Sequence, residues 1–200
     1  MKKKSLDSQS SASPLRRINT FLTILILTLN FYTISLPLIP YFQQLLKPKI
    51  NTKIYEKGSV SAQIKKTNTL VIPSIKLNKQ IYEGETFATA NKGVWRLPYT
   101  STPDKQSNTV LVGHRFSYVH PEAGVFYSLD KVSLGDDIYL TYQKKIYQYT
   151  VKNILEVEPT KVSIENPTKT PVLTLYTCTP LWTSTHRLVI QAHLKEVYSA

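Results

Sequence analysis

An all-β domain, a sandwich or barrel, carried behind one N-terminal membrane-spanning helix, is the fold class that this 200-residue sequence predicts. Three observations carry that expectation. No charged residue occurs from Ile18 to Leu46. Beyond Thr69, seven or eight short runs rich in β-branched and aromatic residues are separated by turns. The chain also has no internal repeat, no glycine-rich phosphate loop and no metal-ligand cluster of recognised spacing.

Residues 1–17 read as a basic cytoplasmic tail, with Lys2, Lys3, Lys4, Arg16 and Arg17 against Asp7 alone. Residues 18–46 read as the transmembrane anchor. Within them, Ile18 to Leu36 is mostly Leu, Ile, Phe and Thr. A helix of that length covers about 28 Å, close to the roughly 30 Å of a bilayer's hydrocarbon core. Asn19, Thr20, Asn30, Thr33 and Ser35 dilute its hydrophobicity. Pro37 and Pro40 are expected to end it, and Tyr41 and Phe42 suit the outer interface. Basic residues before the span and few immediately after it place the N-terminus inside. A cleaved signal peptide is disfavoured, because the apolar stretch is too long and its exit, Ile34-Ser35-Leu36-Pro37-Leu38, offers no small-x-small site.

Residues 47–68 are polar, with scattered Lys, Asn, Thr and Ser, and read as a linker or stalk. Residues 69–198 are expected to hold the folded domain outside the membrane. Leu70 to Ile75 predicts a strand broken at Pro73, with Lys76 to Tyr82 its hairpin partner. Glu83-Gly84-Glu85 turns the chain, and Thr86 to Ala90 predicts a short helical turn. Asn91 to Pro98 leads into a loop from Thr100 to Asn108, followed by a short buried strand, Thr109 to His114. Phe116 to Leu129 is irregular, with a helix start at His120-Pro121-Glu122. Asp137 to Tyr142 and Ile146 to Val157 predict a hairpin turned at Gln143-Lys144-Lys145. Glu158 to Thr170 is a long polar connection, and loops of that size in compact domains are often functional. The last strands are Pro171 to Thr177 and Arg187 to Leu194.

The net charge of +12 attracts anionic polymers or surfaces. No nucleic-acid motif accompanies it, so membrane headgroups, an anionic cell wall or plain solubility account for the lysines and no nucleic-acid partner is expected. A single cysteine excludes an intramolecular disulfide and a cysteine-built zinc site, and no cofactor is predicted.

That cysteine, Cys178, closes the strand Pro171 to Thr177, because Thr179-Pro180 stops the pairing. Nine positions on, Arg187 opens the next strand, so thiol and guanidinium can meet across the loop. A cysteine nucleophile needs a base or an ion-pair partner, since only the thiolate attacks well. The imidazoles are His114, His120, His186 and His193. His114 ends an apolar strand, and Gly113 before it allows a close approach by backbone or ligand. Taken singly, each has a plainer reading: Cys178 as a small buried hydrophobe, His114 as a strand-end histidine bonded to a carbonyl, Arg187 as a surface charge.

Together, Leu-Val-Gly-His114-Arg, then Thr174-Leu175-Tyr176-Thr177-Cys178-Thr179-Pro180, then Thr185-His186-Arg187-Leu188-Val189 resembles the sortase family, the cysteine transpeptidases of bacterial surfaces. The Thr-Leu-x-Thr-Cys signature is complete, and the following Thr-Pro and Thr-His-Arg-Leu runs look like the class C, D and E members. Similarity extends more loosely from Leu70 to Ala192. The resemblance implies a closed β-barrel of about eight strands with short helices. It implies Cys178 as nucleophile, His114 as acid/base and Arg187 as the residue that steadies substrate and oxyanion. Thr177, Thr179 and Pro180 are expected to support the substrate. It further implies a surface-protein sorting-signal peptide of the Leu-Pro-x-Thr-Gly kind as one partner. The other is an amine acceptor, from a cell-wall precursor or a pilin lysine. No lid segment of the pilin-polymerising kind precedes Leu70, and no acidic cluster predicts a calcium site. Two alternatives stand beside it: an extracytoplasmic cysteine peptidase with water as acceptor, and a non-enzymatic β-domain that binds wall polymer through its lysines.

Overall fold

Eight strands close into a barrel in the computed structural model of the chain, which describes residues 14–46, 48–50, 68–117, 119–120 and 123–199. The strands are β1 (Thr69–Ile72), β2 (Leu77–Glu83), β3 (Val94–Arg96), β4 (Asn108–Val112), β5 (Asp137–Tyr142), β6 (Lys145–Val157), β7 (Val172–Thr179) and β8 (His186–Ser199). Around the barrel they run β1-β2-β3-β4-β7-β8-β6-β5, and β5 pairs with β1 to close it. Closure leaves no unpaired edge. The β2–β3 and β4–β7 pairs are parallel and the rest antiparallel.

Strand alternation sorts the side chains. Leu173 and Leu175 of β7, Leu188 and Ile190 of β8, Leu111 of β4 and Phe126 belong to one large buried cluster. The intervening Tyr176 packs on a second cluster with Trp95, Val110 and Val112. Cys178 follows Tyr176 by two, so it shares that second face.

The expected hairpins and the strand pair carrying Cys178 and Arg187 are present. Several boundaries differ. β3 falls within Asn91 to Pro98, read only as the lead-in to a loop; three residues are too few for a period, and Val94 and Trp95 are buried by neighbours from elsewhere. β4 starts one residue early, at Asn108, and β8 continues to Ser199 because β6 offers a partner that far. The turn expected at Thr86 to Ala90 is a 3₁₀ segment, Phe87–Lys92. The tail 1–13, Lys47 and residues 51–67 of the stalk, and Pro121 and Glu122 of the expected helix start lie outside the described residues.

The apolar N-terminal segment is a helix, α1 (Pro14–Ser35), starting on a proline that cannot use its missing N–H there. Twenty-two residues with no buried side chain are long and apolar enough to cross a membrane, which fits a single-pass anchor. Most of its polar residues bond back along the helix. Thr20 donates to Arg16 O (2.9 Å), Thr23 to Asn19 O (2.8 Å), Asn30 to Ile26 O (2.8 Å) and Thr33 to Asn30 O (2.9 Å). Ser35 donates to Phe31 O. Each such donor is satisfied internally, which makes it tolerable in hydrocarbon. α1 ends at Ser35, two residues before Pro37, as expected, whereas Pro40 falls in the first turn of a second helix, α2 (Ile39–Leu46), reached through a 3₁₀ turn (Leu36–Leu38).

Candidate active site

The β7–β8 ladder places two of the expected residues. It runs antiparallel from Val172 opposite His193 to Thr179 opposite His186, which makes Cys178 and Arg187 direct cross-strand neighbours. Directly opposed Cβ atoms stand about 4.5–5.5 Å apart.

The third comes from the parallel partner. β4 pairs with β7 from Asn108 opposite Val172 to Val112 opposite Tyr176. Two more steps along both chains bring His114 level with Cys178. The strands still travel together there: Gly113 N–H donates to Tyr176 O (3.4 Å), and the buried Thr177 hydroxyl donates to Gly113 O (2.8 Å). Gly113 is required at this point. A Cβ on it would sit 2.6 Å from Val125 Cγ2 and 2.8 Å from Phe126 Cδ2. The close approach expected there is made by two core side chains.

Cys178, His114 and Arg187 line one groove of about 230 Å³. Val112, Tyr176, Phe87 and Trp95 line it as well. So does the long β6–β7 loop, through Glu158, Lys161, Val162, Ile164 and Glu165. None of the residues from Thr179 to His186 lines it.

His114 sits half-buried, with Nε2 2.9 Å from Asn91 Oδ1 and the Phe87 ring edge-on at 5.2 Å. With the amide oxygen facing the ring, Nε2 carries the proton and Nδ1 keeps its lone pair. Burial, and then the nearby His120, hold the imidazole below its usual range, so it is neutral near pH 7. Cys178 is half-buried at the groove, unlike a packed core thiol. Arg187 Nη1 donates to His186 O (2.9 Å) and Ser184 O (3.1 Å), which steadies the guanidinium against the β7–β8 loop.

Of the remaining candidates, Thr177 also lines the groove, buried with its hydroxyl on Gly113 O. Thr179 is buried too, accepting from Arg115 Nη1 (2.9 Å), and Arg115 pairs with Asp130 (3.0 Å). Pro180 is exposed, in a cis peptide with Thr179. His186 Nε2 lies 3.0 Å from Glu158 Oε1, while His193 faces Thr150 and Val172 on the ladder. Neither lines the groove, nor does His120. Sequence reasoning missed Asn91 and Phe87, which touch His114 from 23 and 27 residues upstream with no local motif to mark them.

The sortase domain family model matches residues 70–195, the whole barrel from β1 into β8. The chain belongs to the sortase family. Sortase A of Listeria monocytogenes is 28% identical over 169 residues, 84% of this chain and 69% of that protein. Its crystal structure superposes with a TM-score of 0.60 over 66% of this chain and 88% of that one. A structure of Clostridium perfringens sortase C with the C-terminal cell wall sorting motif is 30% identical, with a TM-score of 0.57, over 64% and 69% of the two chains. This sortase therefore carries its family's closed barrel, and cysteine transpeptidation of surface proteins or pilins is the activity its family and fold support.

Proposed function

We propose that this chain is a membrane-anchored cysteine transpeptidase in which Cys178 is the nucleophile, His114 the acid/base and Arg187 the oxyanion and substrate donor. The observation that carries the reading is that three side chains distant in sequence line one groove. The donor substrate is a surface-protein sorting signal of the Leu-Pro-x-Thr-Gly kind. His114 takes the thiol proton at Nδ1 as sulfur attacks the scissile carbonyl carbon. The oxyanion is held by Arg187 and a backbone N–H. His114 then protonates the leaving amine, the C–N bond breaks, and a thioester remains on Cys178. A primary amine, from a cell-wall precursor or a pilin lysine, gives up a proton to His114 as it attacks, and the new amide leaves with the thiol restored. The hydrogen bonds of Thr177 and Thr179 favour a part in holding the Cys178 strand end, and the exposed Pro180, two residues beyond Cys178, is proposed as a peptide contact.

The anchor reading places the N-terminus in the cytoplasm and residues 69–198 outside the cell, tethered through 47–68. A wall-polymer-binding role for the barrel is disfavoured by where the charge lies. Residues 69–199 hold fourteen Lys and Arg against eleven Asp and Glu, whereas residues 1–68 hold eleven against two.

The test is ligation of a sorting-motif peptide to an amine, with product analysis with and without the amine. The expected result is an amide product that Cys178→Ala abolishes, a fall of at least about a thousandfold. Retained activity in that variant would sink the reading, and hydrolysis unaffected by amine would make the enzyme a peptidase.

A further inference from the structure

The strand that leads to His114 and the strand that carries Cys178 also carry side chains that bond the β6–β7 loop lining the groove. Asn108, the first residue of β4, is 2% exposed. Its Nδ2 donates to Ile164 O (2.9 Å) and to Asn166 O (3.1 Å), both in the β6–β7 loop. Thr174 of β7, fully buried, donates its hydroxyl to Asn108 Oδ1 (2.7 Å). That bond decides which way the amide faces: with oxygen occupied by Thr174, both amide protons turn to the two loop carbonyls. Two residues along β7, the Tyr176 hydroxyl donates to Glu165 Oε1 (2.7 Å), between those carbonyls. Ser107, one residue before Asn108, accepts from Thr168 N–H through Oγ (3.1 Å).

The loop turn Val162–Glu165 is a 3₁₀ segment without a buried residue of its own. Apolar packing therefore holds it only through the half-buried Ile164, yet Val162, Ile164 and Glu165 line the groove. We infer that Asn108, oriented by Thr174, is a positioning residue: it fixes the β6–β7 loop in the peptide-receiving conformation before substrate arrives. The inference rests on the transpeptidase reading of the groove. It predicts that loosening the clamp weakens peptide binding, which must then pay the ordering of the loop, and leaves the chemistry at Cys178 unaffected.

The test compares the full chain in detergent with Thr174→Val, which keeps the shape and removes the hydroxyl, with Thr174→Ser, which keeps it, and with Asn108→Ala. Hydrogen exchange of amides 160–168 is expected to speed up about tenfold in Asn108→Ala and by less in Thr174→Val, while Thr174→Ser matches the parent. With a Leu-Pro-Ala-Thr-Gly peptide and hydroxylamine as acceptor, KM should rise in the same order with kcat within about twofold, and alkylation of Cys178 by iodoacetamide should not change. Unchanged exchange in Thr174→Val and Asn108→Ala would overturn the inference, as would a faster-exchanging loop with an unaltered KM. Should Asn108→Ala fail to fold, Thr174→Val against Thr174→Ser decides alone. If the parent ligates no peptide, the transpeptidase reading falls for this substrate while the exchange result still decides whether the clamp exists.

Discussion

The two sides of the groove are built differently. Cys178 and Arg187 face each other on one rung of an unbroken antiparallel ladder, so the backbone itself sets their spacing. His114 stands two residues beyond the last β4–β7 rung, held by Asn91, by the Phe87 ring and by the close packing that Gly113 allows. A pair registered by main-chain hydrogen bonds tolerates change in its surroundings. An imidazole held by side chains takes its position and proton affinity from them. The nucleophile side is thus rigid, and the acid/base side is tunable.

Four substitutions separate those two modes of support. Arg187→Lys keeps the ladder and the charge but loses the planar guanidinium whose Nη1 donates to both the Ser184 and the His186 carbonyl. It should lower kcat/KM by roughly 100- to 1000-fold without shifting the denaturant midpoint. A midpoint shift would mean that the pair is not held by backbone alone. Gly113→Ala forces a methyl against Val125 and Phe126 and should destabilise the barrel by about 1–3 kcal/mol, read from chemical denaturation. A neutral result would show that the His114 segment yields more easily than its packing implies.

Asn91→Ala removes the bond to Nε2 and should reduce kcat about tenfold with little change in KM. Phe87→Ala has the smallest expected effect. Removing the ring rehydrates His114, so its pKa should rise toward the unfolded value of 6.5, and the acid limb of activity should move up in pH with it. The sign for stability follows from the same shift. A histidine whose folded pKa is depressed binds fewer protons than the unfolded chain, so its contribution is present above about 6.5 and is lost as pH falls. His114→Gln should flatten that slope.

Much of this was legible in residues close together in the chain. The strand ending at Cys178, the loop closed by Thr179-Pro180 and the strand opening at Arg187 are one hairpin, and hairpin pairing is a short-range matter. The twenty-two-residue apolar helix is equally local, although its polar residues read as a weakness until their back-bonds to carbonyls one turn earlier are seen. Asn108 is the instructive failure. As the last residue of a polar loop it carried no signal, yet it is the first rung of β4 and bonds a segment more than fifty residues away.

From the sequence alone came a membrane-length helix, a β-rich domain behind it, and a cysteine and an arginine facing each other across one turn, because hydropathy, turn chemistry and strand alternation act within a few residues. Only the tertiary structure could decide that His114 stands level with Cys178, that Asn91 and Phe87 surround its ring, and that Asn108 holds the β6–β7 loop. Parallel strands such as β4 and β7 need a long crossover between them, and no pattern inside either strand encodes which partner, or which register, the folded barrel will select.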